Sequence, residues 1–343
     1  MPRRRDLRVG AAVLLAVGVL GATLGAVHAA FTSVTANATN TLAANPDLVA
    51  PTVPSAVVGK SLTGAALGSV PGYVRSGGTY HLYANVADTG NPASGVSTVD
   101  VTAVTANTST FDTGVTAAAL ASGSFTYGGV AYNRRSAELT ANTTGGGLVN
   151  ATAYAFSAFA KDQASPVNSA TTSGFSVTAD TVQPTTAAPV ASTVNGAGVV
   201  NRPTAGDTVN LVYSEPIDPA SILAGWTGAT TNVVVRIDQA VGSDTMTFYA
   251  PNNTTLLNLG TLALGSTAYV TANGTFGLTG TASTMTHSNG TITLVLGTQA
   301  GTTVTVATNV TLAWTRSASA YDRAGNAAIT TAANEAAPAD PDF

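Results

Sequence analysis

Between Thr79 and Trp314 the chain is cut into short apolar or alternating runs, each bounded by Gly, Pro, Asn or Asp, and almost none keeps helical spacing. Alternation with a period of two suits a strand with one face in a core and the other in water. Thr79–Val86 alternates in this way, and Val96–Val104 follows after a turn-rich stretch. Ser124–Tyr132 predicts a hairpin closed by Gly128-Gly129, and Thr284–Leu296 a second one around Asn289-Gly290, a dipeptide suited to a type I′ turn. Ala151–Ala160, with Tyr154, Phe156 and Phe159, and Gly174–Asp180 complete the strands of the first half. Pro189–Val194, Asp207–Tyr213, Val233–Ile237, Met246–Tyr249, Ala268–Thr271 and Thr303–Trp314 supply the second. One short helix is expected at Pro219–Ala224, with Asp218 as N-cap and Pro219 at the first helical position. Many short strands without interleaved amphipathic helices predict an all-β protein built of two sandwiches.

The N-terminus carries an export pattern. Arg3, Arg4, Arg5 and Arg8 precede an apolar run from Val9 to Val27, and Val27-His28-Ala29 offers small residues at the positions a signal peptidase needs. A cleaved signal peptide over 1–29 is expected, with an uncleaved anchor as the rival, since the run approaches the roughly 20 residues that span a bilayer. On this reading the membrane is met only transiently, and the mature protein is secreted or displayed on a bacterial surface. The remainder divides into an extended segment at 30–50, one sandwich at 51–182 and a second at 183–333. The Pro-containing stretch Asp180–Thr186 serves as linker. The Ala/Pro/Asp-rich residues 334–343 are expected to be a disordered tail.

Composition narrows the function. The 343 residues include 13 basic and 17 acidic ones, and removal of 1–29 leaves 9 against 16, a net charge of –7. So few basic side chains, with lysine only at Lys60 and Lys161, argue against nucleic acid, whose phosphates demand clustered Lys and Arg. Without cysteine there is no disulfide framework, no thiol nucleophile and no thiolate metal site, so stability must come from ordinary apolar cores.

Several segments resemble known modules. Gly78–Asp88 followed by Ser94–Val99, Tyr154–Asp162 and Gly174–Pro184 resemble the central and last strands of bacterial immunoglobulin-like domains. Val212-Tyr213-Ser214-Glu215-Pro216-Ile217-Asp218 is similar to the start of another immunoglobulin-like family of surface-layer and secreted proteins. Tyr321-Asp322-Arg323-Ala324-Gly325-Asn326 looks like the D-x-A-G-N signature near the end of such modules. The resemblance implies two immunoglobulin-like β-sandwich domains in tandem. Ala29–Ser33 and Asn37–Leu42 resemble the exported segment of proteins of the biofilm-fibre and camelysin type, which implies assembly through a processed N-terminal strand.

Residues that could carry chemistry are few. His81 and His287 have no second ligand at metal spacing, no G-x-S-x-G or S-x-x-K pattern occurs, and only Glu138, Glu215 and Glu335 are glutamates. Catalytic residues and an organic cofactor are therefore not expected. Calcium is the one cofactor the residues suggest, at strand ends where oxygen donors gather: Asp88 with Asn91, Asp162 with Asn168, Asp180, and Asp322 with Asn326. The competing reading is turn chemistry, in which Asp and Asn side chains bond their own backbone and Gly325 takes a positive φ. Glu215 and Asp218 likewise read either as a ligand contact on an exposed loop or as strand end and helix cap. Trp226, Trp314, Tyr249 and Tyr269 read either as a sugar platform or as core. Three roles follow: a non-enzymatic structural or adhesive protein that binds a surface protein or polysaccharide, a self-assembling fibre subunit, or a carbohydrate-binding module.

Overall fold

A computed structural model describes residues 49–61, 68–88, 103–112, 117–142, 147–162, 168–196 and 198–343. The expected signal peptide, most of the segment at 30–50, most of the Val96–Val104 strand and Asn91 lie outside them. The protein is nearly all β, with packed sheets. Its first half holds β1 (Thr52–Lys60), β2 (Tyr73–Val74), β3 (Thr79–Ala87), β4 (Ala103–Asn107), β5 (Ala118–Tyr127), β6 (Val130–Ser136), β7 (Leu139–Thr140), β8 (Ala153–Lys161) and β9 (Ser169–Ala179). They run in the order β1-β3-β6-β5-β4-β8-β9-β2, with β7 also on β3.

The second half holds β10 (Thr186–Val194), β11 (Thr208–Tyr213), α1 (Pro219–Ile222), β12 (Thr231–Asp238), β13 (Thr245–Tyr249), β14 (Thr261–Ala263) and β15 (Gly274–Phe276). It continues with β16 (Ser283–Ser288), β17 (Thr291–Val295), β18 (Gln299–Ala300), β19 (Ala313–Thr315) and β20 (Ala333–Asn334). Here the order is β10-β11-β17-β16-β12-β13-β14-β19-β20, with β15 bridging β12 and β18.

Alternation sets which face of each strand is buried. In β3, Tyr80, Leu82, Ala84 and Val86 enter one core, packed among Val58, Phe111, Phe156 and Val177. Tyr83 points to the opposite face and is buried there against Tyr127 and Tyr132, at ring separations of 5.1 and 5.5 Å. In the second half, Val209, Leu211 and Tyr213 of β11 meet Ile292, Leu294, Met246, Phe248 and Trp314 in a separate core. The Asn289-Gly290 turn joins β16 to β17 with φ of 47° and 84°, the left-handed pair that a two-residue hairpin of this twist requires.

Four expectations need correction. Ala268–Thr271 forms only an isolated bridge, Val270 to Thr303. The buried Asp244 carboxylate accepts the Tyr269 and Val270 N–H groups at 2.9 and 3.1 Å, so these donors are withdrawn from any ladder. Thr303–Trp314 is strand only from Ala313 onward, because the Glu335 carboxylate takes the Leu312 N–H at 2.7 Å. In residues 334–343, expected to be a disordered tail, Glu335, Asp342 and Phe343 are buried while most of the others are exposed. Phe343 is 2 % exposed, edge-on to Tyr269, and its N–H reaches Thr193 Oγ1 at 2.9 Å. The helix is shorter than expected, ending at Ile222, but Asp218 caps it by accepting the Ala220 N–H at 3.0 Å.

Candidate functional site

The cap residue Asp218 does more than start α1. Its carboxylate is wholly buried and contacts Lys60 Nζ, at the end of β1, which is itself 1 % exposed. Ser69 Oγ and the Ser69 N–H reach Asp218 Oδ1 at 2.6 and 3.0 Å, while Lys60 also donates to the Val70 carbonyl at 3.3 Å. An ammonium without water is costly, and only a partner of opposite charge with further hydrogen bonds offsets that cost. Burial pulls the Lys60 pKa below its ordinary value, with Asp218 and then Asp322 opposing the shift. The loop reading of Glu215 and Asp218 as exposed ligand contacts is thus replaced, for Asp218, by a buried tie between the two sheet systems.

Beside this pair the D-x-A-G-N segment folds as a tight turn. Asp322 Oδ1 accepts the Ala324 and Asn326 N–H groups at 2.7 and 2.9 Å, Asp322 Oδ2 accepts Asn326 Nδ2 at 2.8 Å, and Gly325 sits at φ 91°. Asn326 Nδ2 also reaches the Asp180 carbonyl at 2.9 Å. Arg323 lies over the Tyr73 ring at 4.1 Å and approaches Asp180 Oδ2 at 3.5 Å. One contact group therefore joins residues of the first half to this turn of the second.

Of the seven candidate calcium ligands, Asp180, Asp322 and Asn326 meet at this junction. Turn chemistry already occupies the Asp322 and Asn326 donors. Asp180, Glu215 and Asp322 bring one carboxylate oxygen each within 4.8 Å of one another. Asp180, Glu215 and Arg323 also line a cleft of about 440 Å³ with Asn150, Gln183 and Ser214. Asp162 is elsewhere, closing its own loop through the Asn168 N–H and Nδ2, both at 2.9 Å. Asp88 is also elsewhere, buried at the end of β3.

Glu215 was missed as a member of this cluster. Desolvation, then repulsion from Asp180 and Asp322, pushes its pKa up to about 8, so it keeps its proton at neutral pH. A hard cation entering the cluster would have to expel that proton and displace Arg323. The sign of the pH effect follows directly. A carboxyl whose folded pKa lies above its unfolded value of about 4.5 contributes stability fully present below pH 4.5 and lost as pH rises through about 8. Thermal unfolding of Glu215→Gln and the wild type at pH 5 and pH 9 should therefore show the variant gaining relative stability at the higher pH. A difference in melting temperature that stays constant between the two pH values would refute it.

The aromatic residues do not form a sugar platform. Trp314 and Tyr269 are fully buried, Trp226 is 6 % exposed with Nε1 on the Ala229 carbonyl at 2.6 Å, and Tyr249 is covered by the Arg236 guanidinium at 3.9 Å. His81 contacts the Ser136 carbonyl at 3.0 Å and lies 4.0 Å from Glu138. His287 accepts the Gly290 N–H at 3.3 Å, and burial lowers its pKa. Both imidazoles have local structural partners.

No family model matches the chain, and no curated protein or solved structure matches it either.

Proposed function

We propose that the protein is a non-enzymatic structural or adhesive component of the bacterial exterior, made of two immunoglobulin-like sandwiches and exported through its N-terminal segment. The observation that carries this reading is the junction. A buried Lys60–Asp218 pair, with Arg323 bridging Tyr73 and Asp180, stiffens two sheet systems against one another. Stiff coupling suits a spacer that presents loops and sheet faces at a distance, where a flexible hinge would dissipate load. The uncharged surface fits too: on β9, Ser169, Thr171, Ser173 and Gly174 face outward. Expression in a bacterial host with fractionation tests the reading, which expects a processed form beginning near Ala30 outside the cytoplasm. Retention of the unprocessed chain in the cytoplasm would overturn it.

A fibre subunit is the second reading, favoured by the edge of β1. Among the described residues, Thr52–Val57 pairs on one side only, with β3, and the chain enters β1 directly from the segment at 30–50. An open edge accepts a strand from a second copy. Light scattering should show large species that vanish when residues 31–42 are deleted. A monomer in both forms would exclude assembly by this route.

A further inference from the structure

A second group of acids follows the junction turn in sequence, in the segment expected to be disordered. Glu335, Asp340 and Asp342 bring one carboxylate oxygen each within 4.8 Å of one another. Glu335 is 9 % exposed and Asp342 1 %, whereas Asp340 faces solvent. Among the described residues, no basic side chain pairs with any of the three. Three carboxylates gathered at the edge of an apolar core repel one another strongly unless a positive charge enters.

Two further oxygens point to what enters. Asp342 Oδ1 accepts Thr193 Oγ1 at 2.9 Å, but Asp342 Oδ2 is buried with no hydrogen-bond partner. The Tyr269 hydroxyl, on a fully buried side chain, is also without a partner. The Tyr269 ring packs edge-on against Phe343 at 5.7 Å, which places it beside the chain neighbour Asp342. Unpaired buried oxygens of this kind are uncommon, because each loses its hydration without replacement.

We infer that Glu335, Asp340 and Asp342 form a binding site for a single hard divalent cation of the calcium type, with Tyr269 Oη and Asp342 Oδ2 turned toward it. The donors are all oxygens, from carboxylates and a phenol, a set that suits calcium and disfavours zinc or copper. Protonation would relieve one charge, while a divalent ion relieves two and satisfies several oxygens at once. The ion would clamp residues 335–343 to the body of the second half. Glu335 is tied to Leu312, Asp342 to β10 through Thr193, and the Asp342 N–H to Asn201 Oδ1 at 3.1 Å. The site is distinct from the junction cluster, where Arg323 already supplies a cation.

Isothermal titration of the chelator-treated full chain with calcium chloride tests this. One site is expected, with a dissociation constant on the order of 10⁻⁴ to 10⁻³ M, a range set by few ligands and partial exposure. Asp340→Asn, on an exposed side chain that the core does not need, should weaken binding by about tenfold or more. Glu335→Gln should do the same. Glu215→Gln, at the junction, should leave binding within about twofold. Calcium should also raise the melting temperature of the wild type and not that of Asp340→Asn. Absence of binding up to about 10 mM calcium, well past that range, would overturn the inference. So would affinity undiminished in Asp340→Asn, or affinity lost in Glu215→Gln instead.

Discussion

Lys60→Met is expected to destabilise the protein by about 3–5 kcal/mol, because it leaves the fully buried Asp218 carboxylate without its counter-charge. Asp218→Ala should cost at least as much. It removes the pair, the cap of α1 and the acceptor for Ser69, and a lost cap alone is worth about 0.5–2 kcal/mol. Part of that loss is limited by Lys60 itself, whose already lowered pKa lets it shed its proton once the carboxylate is gone. Urea unfolding of the two single variants and of Lys60→Met/Asp218→Ala gives the coupling directly. The double variant should be less destabilised than the sum of the singles by about 1–3 kcal/mol. Strict additivity would mean that the two side chains do not act as a pair.

Trp314→Ala is expected to cost about 3–5 kcal/mol through the cavity it opens. The ring is fully buried, edge-on to Tyr213 at 4.7 Å, and its Nε1 donates to the Leu259 carbonyl at 2.8 Å. Loss of that donor orphans a buried carbonyl, so Trp314→Phe should recover most of the packing and still cost about 1–3 kcal/mol. Denaturant midpoints of both variants check this. Equal midpoints for the Phe variant and the wild type would show that the indole hydrogen bond contributes nothing.

Strands with one dry face were readable because burial imposes their alternation. β3, β11 and the β16–β17 hairpin stand where the residues place them, and Asn289-Gly290 turns with the expected backbone. Ala268–Thr271 was misread because Asp244, 25 and 26 residues from Tyr269 and Val270, captures their donors, a tertiary effect that alternation cannot express. Asp218 was legible as a cap, a local property, but not as the partner of a lysine 158 positions away. One signal did exist, since a lysine that closes the apolar run Ala56-Val57-Val58-Gly59 must find an anion if that run is buried. Asp180, Asp322 and Asn326 were selected as oxygen donors at strand ends and do converge, whereas Glu215 looked like a strand end. The Glu335–Asp342 cluster was hidden by its Ala/Pro/Asp background, which resembles a disordered tail, and Phe343 was the residue that should have suggested packing.

The mechanical coupling of the two halves is tested most directly by equilibrium unfolding of the full chain, followed by two probes. Both tryptophans, Trp226 and Trp314, lie in the second half, so their fluorescence reports that half alone, while far-ultraviolet circular dichroism reports all strands. If the Lys60–Asp218 junction binds the halves into one cooperative body, the two transitions coincide in the wild type and separate in Lys60→Met. Separate transitions in the wild type, unchanged by Lys60→Met, would contradict it.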